Sequence, residues 1–359
     1  MSPTQARLTI DLDALAANHA LLRGLAGSAE VAPVVKANAY GLGVGPVARR
    51  LRAEGAMRYF VARLAEGEAL RALLGPDSTI YVLDGCPPGA AARLIAAGLT
   101  PVLNSTDQVE AWIGARGGPC VLHVDSGLNR LGLRIDEAEA LARRQKSVGG
   151  LEIAVIMSHL SCGSSQGHPM NQRQAQSFDT IRALFPDARG SLANSGGLFH
   201  GGAFLHDLVR PGISLYGGGP FDRPDARIAP VVTLEAPVLQ VRDVPAGESV
   251  GYDAGFVADR AMKVAVVAAG HADGILRAQS PAGHAVFEGG RRRLVGRVSM
   301  DLVAIDVSEG PAPRAGDRVQ LIGPDMPVDE VAQAASTIAY EVLTRLGDRF
   351  ELVYTGAVQ

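Results

Sequence analysis

Lys36 is the first residue whose position suggests chemistry. It directly follows the apolar run Val31-Ala32-Pro33-Val34-Val35 and precedes Ala37-Asn38-Ala39-Tyr40-Gly41. A lysine at the rim of a desolvated pocket has its ammonium form disfavoured, which makes it a candidate Schiff-base nucleophile. The plainer reading is a surface lysine whose stem covers the rim. Two later segments shift the balance. Ala193-Asn194-Ser195-Gly196-Gly197 and Arg210-Pro211-Gly212-Ile213 are equipped to offer hydroxyl and backbone N–H donors to a phosphate. His159 falls between them and suits stacking on an aromatic ring; a histidine at the edge of the core is its alternative. An amine at one end and a phosphate cradle at the other would hold a cofactor at both ends.

Other patterns carry less. Gly41-Leu42-Gly43-Val44-Gly45 resembles a dinucleotide fingerprint, but its third glycine comes one residue early. His159 and His168 are too far apart for a metal pair on one helix face. Cys86, Cys120 and Cys162 form neither a metal pattern nor a disulfide framework, so no metal is expected and a reducing cytoplasm is.

Positioning such residues needs a scaffold, and the chain suggests one. Up to about Gly219, short β-branched runs alternate with helical stretches. Expected strands are Val31–Val35, Tyr59–Val61, Thr79–Leu83, Thr100–Leu103, Val121–Val124 and Ile153–Met157, then two weaker ones, Ser191–Ala193 and a segment around Val209–Leu215. Expected helices include Asp13–Leu25, Ala90–Ala97, Ser105–Ala115 and Asp136–Lys146. About eight strand–helix repeats imply an α/β fold with a closed (β/α)8 TIM-type barrel, over residues 10–225. In such barrels chemistry sits at the carboxyl ends of the strands. The polar residues there are Lys36, Arg63, Asp84, Asn104, Asp125, His159, Asn194, Ser195 and Arg210. For Asp84, Asn104 and Asp125, ordinary loop starts and caps are an equal alternative.

The stretch from Gly217 to Pro230, rich in Gly, Pro and Asp, marks a domain boundary. Beyond it, runs at Val231–Val241, Lys263–Ala268, Leu302–Val307 and Arg318–Ile322 read as strands, and Asp329–Leu346 reads as helical. A mostly β domain over 226–359 follows, which residues 1–9 are free to join. The basic run Arg291-Arg292-Arg293 follows Gly289-Gly290 and reads as a hairpin flank, with an ordinary solvated turn as the plainer reading.

Composition narrows the function classes. The chain has 359 residues, 47% of them hydrophobic, with 34 basic and 37 acidic side chains for a net charge of −3. Near-neutrality gives no electrostatic reason to expect nucleic acid or an anionic membrane as partner. No apolar run approaches the length of a membrane span. The segment from Met1 to Leu12 carries Arg7 and Asp11 and has no signal-peptide pattern, so a cytoplasmic location is expected.

The run Val34-Val35-Lys36-Ala37-Asn38-Ala39-Tyr40-Gly41-Leu42-Gly43 resembles the cofactor-lysine motif of alanine racemases, pyridoxal-phosphate enzymes with a barrel followed by a β domain. The resemblance continues through Val124-Asp125-Ser126-Gly127 with Arg130-Leu131-Gly132, Met157-Ser158-His159, Ala193-Asn194-Ser195 and Val209-Arg210-Pro211-Gly212-Ile213. It extends to Leu215-Tyr216-Gly217, Val250-Gly251-Tyr252, Ala272-Asp273-Gly274, the segment from Val295 to Asp301, and Tyr340-Glu341.

The resemblance implies roles. Lys36 would hold pyridoxal phosphate covalently and act as base on one face of the substrate. Tyr252, supplied by the partner subunit of a homodimer with shared active sites, would serve the other face. Arg210 would face the pyridine nitrogen; an arginine does not give up its proton, so that nitrogen stays unprotonated and the ring is a weaker electron sink. His159 would lie behind the ring. Tyr40, Ser195, Gly212, Ile213 and Tyr340 would contact the phosphate, beside Asn194. Arg130 would contact the cofactor phenolic oxygen and the substrate carboxylate, and the Met300 backbone of the second subunit would also contact that carboxylate. The implied reaction is interconversion of L- and D-alanine, supplying D-alanine for peptidoglycan.

Two positions depart from the family pattern. His271 stands where a tyrosine usually precedes Ala-Asp-Gly and helps line the substrate entrance. His123 stands where many members carry a carbamylated lysine beside the Arg130 equivalent. Alternative functions are a racemase of broader specificity acting on serine or other small amino acids, a pyridoxal-phosphate decarboxylase, and a cofactor-binding protein without turnover.

Overall fold

The computed structural model describes residues 5–148 and 150–356. They form two compact units, one running from Ala16 to Leu215 and the other built from the chain before and after it.

The first unit is a parallel barrel. Its strands are Glu30–Val31, Arg58–Val61, Thr79–Val82, Thr100–Leu103, Cys120–His123, Ile153–Met157, Arg189–Ser191 and Leu208–Val209. Neighbours pair in parallel from the second strand to the seventh. The first pairs with the eighth, Val34 bridges to Phe60, and Asp207 N donates to Gly190 O at 3.0 Å and Arg210 N to Ala193 O at 2.9 Å, which closes the ring. The second, third and fourth strands each show one partly exposed residue followed by three buried ones. An unbroken buried run, rather than an alternating one, is what a strand covered on both faces requires.

The amino-terminal mouth is closed by charge. Arg58 Nε donates to both oxygens of Glu30 at 2.8 Å, and Arg189 Nη1 donates to Glu30 at 2.9 Å. Arg58 also reaches Thr79 Oγ1 and Tyr81 Oη, each at 3.2 Å. These groups start strands, so the opposite mouth is left for chemistry.

The last two barrel strands differ from expectation. They are Arg189–Ser191 and Leu208–Val209, and Ile213–Leu215 forms a 3-10 turn. Pro211 has no N–H to continue a ladder, so regular pairing ends before it.

In the second unit, eight strands lie in the order Met262–Val267, Val303–Asp306, Gly290–Val295, His284–Phe287, Arg318–Ile322, Val232–Val244, Arg7–Asp11 and Glu351–Thr355. The 13-residue strand Val232–Val244 also pairs with Met262–Val267 across a register shift between Val238 and Gln240. That irregularity lets one strand bend between two partners and curl the sheet on itself. Val244, Ala258, Met262, Val264 and Val295 pack in its core.

Two expectations are corrected here. The basic run flanks a hairpin as expected, since His284–Phe287 and Gly290–Val295 pair antiparallel, but it is strand and not itself the turn. The turn is Glu288-Gly289, both at positive φ; Arg291 to Arg293 lie in the strand Gly290–Val295, Arg292 is buried, and Arg291 pairs with Glu330 at 2.7 Å. The helix expected over Asp329–Leu346 is two helices, Val328–Ala334 and Ala339–Arg345. Ser336 turns left-handed between them, the β-branched Thr337 and Ile338 suit the extended link, and Thr337 Oγ1 donates to Glu341.

Candidate active site

Lys36 leaves the first barrel strand into an unusual turn. Ala37, Asn38, Ala39 and Tyr40 all have φ between 52° and 58°, one turn of left-handed helix. Each such residue costs about 1–2 kcal/mol relative to the right-handed form. None of the four is β-branched, which keeps the conformation accessible. Hydrogen bonds offset the cost: Gly41 N donates to Ala37 O at 2.8 Å and Gly43 N to Asn38 O at 3.0 Å. Val44 N donates to Asn38 Oδ1 at 2.8 Å. Glu66 anchors the start, accepting from Ala37 N at 2.8 Å with one oxygen and from Ala62 N and Arg63 N at 2.8 and 3.1 Å with the other.

The turn leaves Lys36 half-buried, with no hydrogen bond or ion pair to its amine among the described residues. Burial first, then the nearby Arg130 charge, pushes its pKa below the ordinary lysine value, while Glu66 and Asp84 oppose that shift. A half-buried amine with a depressed pKa is suited to covalent chemistry.

The same turn ends at Tyr40, which is buried. A Cβ on Gly212 would lie 2.2 Å from Tyr40 Oη, so only glycine admits the phenol there. Gly212 N and Ser214 N donate to Ser195 Oγ at 3.0 and 3.5 Å, which leaves the Ser195 hydroxyl proton for another acceptor. Ser214 Oγ is buried without a partner among the described residues. Ile213 is buried beside it. Asn194 is the N-cap of the helix Ser195–His200, accepting from Gly197 N at 3.0 Å.

Arg210 is 4% exposed. It donates to Ser191 Oγ at 2.5 Å, Ser158 O at 2.7 Å and Leu192 O at 3.2 Å, and stands 5.9 Å over the Phe60 ring. All these acceptors are neutral. Burial pushes its pKa down to about 9, so it remains a cation near neutral pH. His159 Nδ1 is 3.5 Å from Arg210. Burial, then Arg210, Arg130, His123 and Lys36, hold its imidazole neutral.

His123 Nδ1 lies 2.7 Å from Asn104 Oδ1. Its pKa is pushed down to about 4 by burial, then by Arg210 and Arg130. Arg130 is exposed on a loop that Asp125 organises: the carboxylate accepts from Gly127 N, Leu128 N and Asn129 N at 2.9, 2.8 and 2.9 Å.

In the second unit, Tyr252 is 67% exposed and begins a 3-10 turn. The neighbouring Asp253 pairs with Arg297. His271 and Met300 are also exposed. Their segments are tied by His271 N to Ser299 O and Ala272 N to Met300 O, both 2.9 Å. Tyr340 lies in the helix Ala339–Arg345, its phenol pushed up by burial and by Asp222 and Asp329.

The family model for the alanine racemase N-terminal domain matches residues 10–220, and that for the C-terminal domain matches residues 231–354. The chain belongs to the alanine racemase family. It is 45% identical to a catabolic alanine racemase of Mesorhizobium japonicum over 97% of this chain and 93% of that protein. It is also 45% identical to an alanine racemase of a Methylobacterium species over 98% of both. Among solved structures, the alanine racemase of Bartonella henselae with covalently bound pyridoxal phosphate aligns with a TM-score of 0.93 at 37% identity, covering 98% of this chain and 99% of that one. The biosynthetic alanine racemase of Pseudomonas aeruginosa aligns at 0.92 and 36%, with the same coverage.

Within this alanine racemase fold, the barrel gathers Lys36, Tyr40, His159, Ser195, Arg210, Gly212 and Ile213 at one mouth. Tyr252, Met300 and Tyr340 belong to the other unit. Sequence reasoning missed Glu66, whose role depends on a turn that no local pattern announces. Asp125 was visible as a polar residue after a strand and within the resemblance; the Asp-Ser-Gly it begins is the signal of a carboxylate capping its own loop.

Proposed function

We propose that the protein is a pyridoxal-phosphate-dependent alanine racemase, an isomerase that interconverts L- and D-alanine. The observation that carries the reading is the single left-handed turn that begins at the unpaired amine of Lys36 and ends at Tyr40 against Gly212. It couples a nucleophile to a polar cradle. The cradle fits a phosphate: Gly212 has no Cβ in the way, the Ser195 hydroxyl has a proton to give, and the buried Ser214 hydroxyl is unsatisfied.

When bound, pyridoxal phosphate supplies an electron-withdrawing ring that acidifies the substrate α-hydrogen. Lys36 anchors it and moves a proton on one face. Tyr252 of a second copy of the chain moves a proton on the other. Two acid–base groups on opposite faces invert a centre without turning the substrate over. The exposed Tyr252 phenol, without a partner among the described residues, supports its service to another chain. Arg210 would offer a permanent donor to the pyridine nitrogen, which would then stay unprotonated. His159, neutral, would pack behind the ring. Tyr40, Ser195, Gly212, Ile213 and Tyr340 would hold the phosphate, and Asn194 caps the helix carrying Ser195. Arg130, with the Met300 N–H of the second copy, would take the substrate carboxylate; that N–H has no acceptor among the described residues. No helix among the described residues is long and apolar enough to cross a membrane; the working place proposed is the cytoplasm, with D-alanine supplied to peptidoglycan.

A second reading, a racemase that also accepts serine, is favoured by one observation. The exposed residue tied beside Met300 is His271, a polar imidazole. Chiral analysis against a panel of small amino acids separates the two readings, and released carbon dioxide would point to a decarboxylase instead. The decisive test mixes Lys36→Ala with Tyr252→Phe. Random pairing makes half of the dimers hybrid with one intact site each, so about a quarter of wild-type sites should return. No recovery despite demonstrated subunit exchange removes the shared site.

A further inference from the structure

A cavity of about 500 Å³ opens within the second unit. The 3-10 turn Arg277–Gln279, the hairpin of His284–Phe287 with Gly290–Val295, and the helix Val328–Ala334 all contribute to its wall. That volume suits a small molecule, and none of the residues given a role in racemisation lines it. Met326 and Val331, both buried, supply an apolar side. Gln279, His284, Arg223, Arg291 and Glu330 supply polar groups.

Gln279 is the group that calls for a partner. It lines the cavity and is only 6% exposed. Its backbone is used: Gln279 N donates to Leu276 O at 3.0 Å, and Gln279 O accepts from Gly283 N at 2.6 Å. Gly283 is tied in turn, since Leu294 N donates to Gly283 O at 2.9 Å. The side-chain amide, with two N–H donors and a carbonyl, makes no hydrogen bond among the described residues. A buried amide is costly to leave unpaired. The charges beside it favour an anion. Arg291 Nη2 meets Glu330 at 2.7 Å, which offsets that carboxylate. A guanidinium carries five N–H groups, so Arg291 keeps donors to give. Arg223 adds a second cation at the exposed rim, and the His284 imidazole makes no hydrogen bond among the described residues.

We propose that this cavity binds a small organic oxyanion, a phosphate ester or a carboxylate. Its oxygens accept from the Gln279 amide and from Arg223 and Arg291, and its body covers Met326 and Val331. Oxyanions pair well with guanidinium groups because the hydrogen bonds are charge-assisted. The site plays no part in the proposed proton transfers, so it stands or falls apart from them.

The test uses the purified holoenzyme with isotope-labelled glutamine side chains. Phenyl phosphate and benzoate are the probes, and sodium chloride at equal ionic strength is the control. The Gln279 amide resonances, identified by their loss in Gln279→Glu, should shift with at least one probe at a Kd of about 1 mM or below, and stay still with chloride. The probe that moves them tells a phosphate ester from a carboxylate. Arg223→Ser, at an exposed position, should weaken that binding about tenfold by calorimetry. No shift with either probe, an equal shift with chloride, or wild-type affinity in Arg223→Ser overturns the proposal. If Gln279→Glu does not fold, the Arg223→Ser affinity decides. Failure of the racemase reading would appear separately, as absent turnover with these shifts intact.

Discussion

Replacing Glu66 by Gln tests how the catalytic amine is held. The side chain keeps its shape, so no cavity forms, but one of its two oxygens becomes an NH2 group. Glu66 accepts three backbone N–H groups at 2.8, 2.8 and 3.1 Å. The remaining oxygen of glutamine can keep Ala62 and Arg63, and the amide nitrogen then faces Ala37 N–H, donor against donor. A hydrogen bond to a charged group is worth about 1.5–3 kcal/mol, and this one lies at a partly exposed turn, so the expected loss is about 1–3 kcal/mol. It falls on the first peptide of a left-handed turn that already costs about 1–2 kcal/mol per residue. The urea midpoint should drop with the slope unchanged. Glu66 also raises the Lys36 pKa, so its removal should move the pH midpoint for re-addition of pyridoxal phosphate to the stripped enzyme downward. Asp84→Asn is the control. Asp84 acts on Lys36 only through charge and makes no side-chain hydrogen bond among the described residues, so it should shift the pH midpoint and leave the urea midpoint alone. If Glu66→Gln behaves like Asp84→Asn, or shifts neither quantity, the anchoring argument is wrong.

Three further outcomes are expected. His19 and His123, each buried with a pKa pushed down to about 4, stay neutral when folded but bind protons below about 6.5 when unfolded. Stability should therefore be full above that pH and fall toward pH 4, by up to about 3 kcal/mol for each, as read by calorimetry; a flat profile over that window refutes it. Gly212→Ala should destabilise by about 1–3 kcal/mol and weaken cofactor retention, since its Cβ meets Tyr40 Oη at 2.2 Å; wild-type melting and retention would contradict the cradle. Arg210→Lys loses the planar fork that serves Ser191, Ser158 and Leu192 together, leaving at least one buried acceptor unpaired at about 1–3 kcal/mol; an unchanged urea midpoint would show that the fork is dispensable.

The barrel was legible because its strands are short apolar runs set between amphipathic helices, a pattern that survives without any tertiary information. The weakest expectations fell on Ser191–Ala193 and Val209–Leu215. There the strand signal is mixed with glycine, proline and the polar residues of the site itself; the first strand lies two residues earlier than expected and the second ends at Val209 instead of Leu215. The hairpin flank at Arg291 to Arg293 was legible, and Arg291 and Arg293 are exposed as their charges suggest; only the burial of Arg292 and the pairing of Arg291 with Glu330, a partner remote in sequence, were not.

The site divides along the same line. Lys36, Ser195 and Arg210 could be proposed because each is a polar residue ending an apolar strand, and chain order alone puts strand ends at one mouth of a barrel. What tertiary structure decided is the state of those groups. The unpaired amine of Lys36 and the permanent charge of a buried Arg210 among neutral acceptors follow from neighbours up to tens of residues away. Burial and hydrogen-bond partners are properties of packing, and packing is written in no local stretch of the chain.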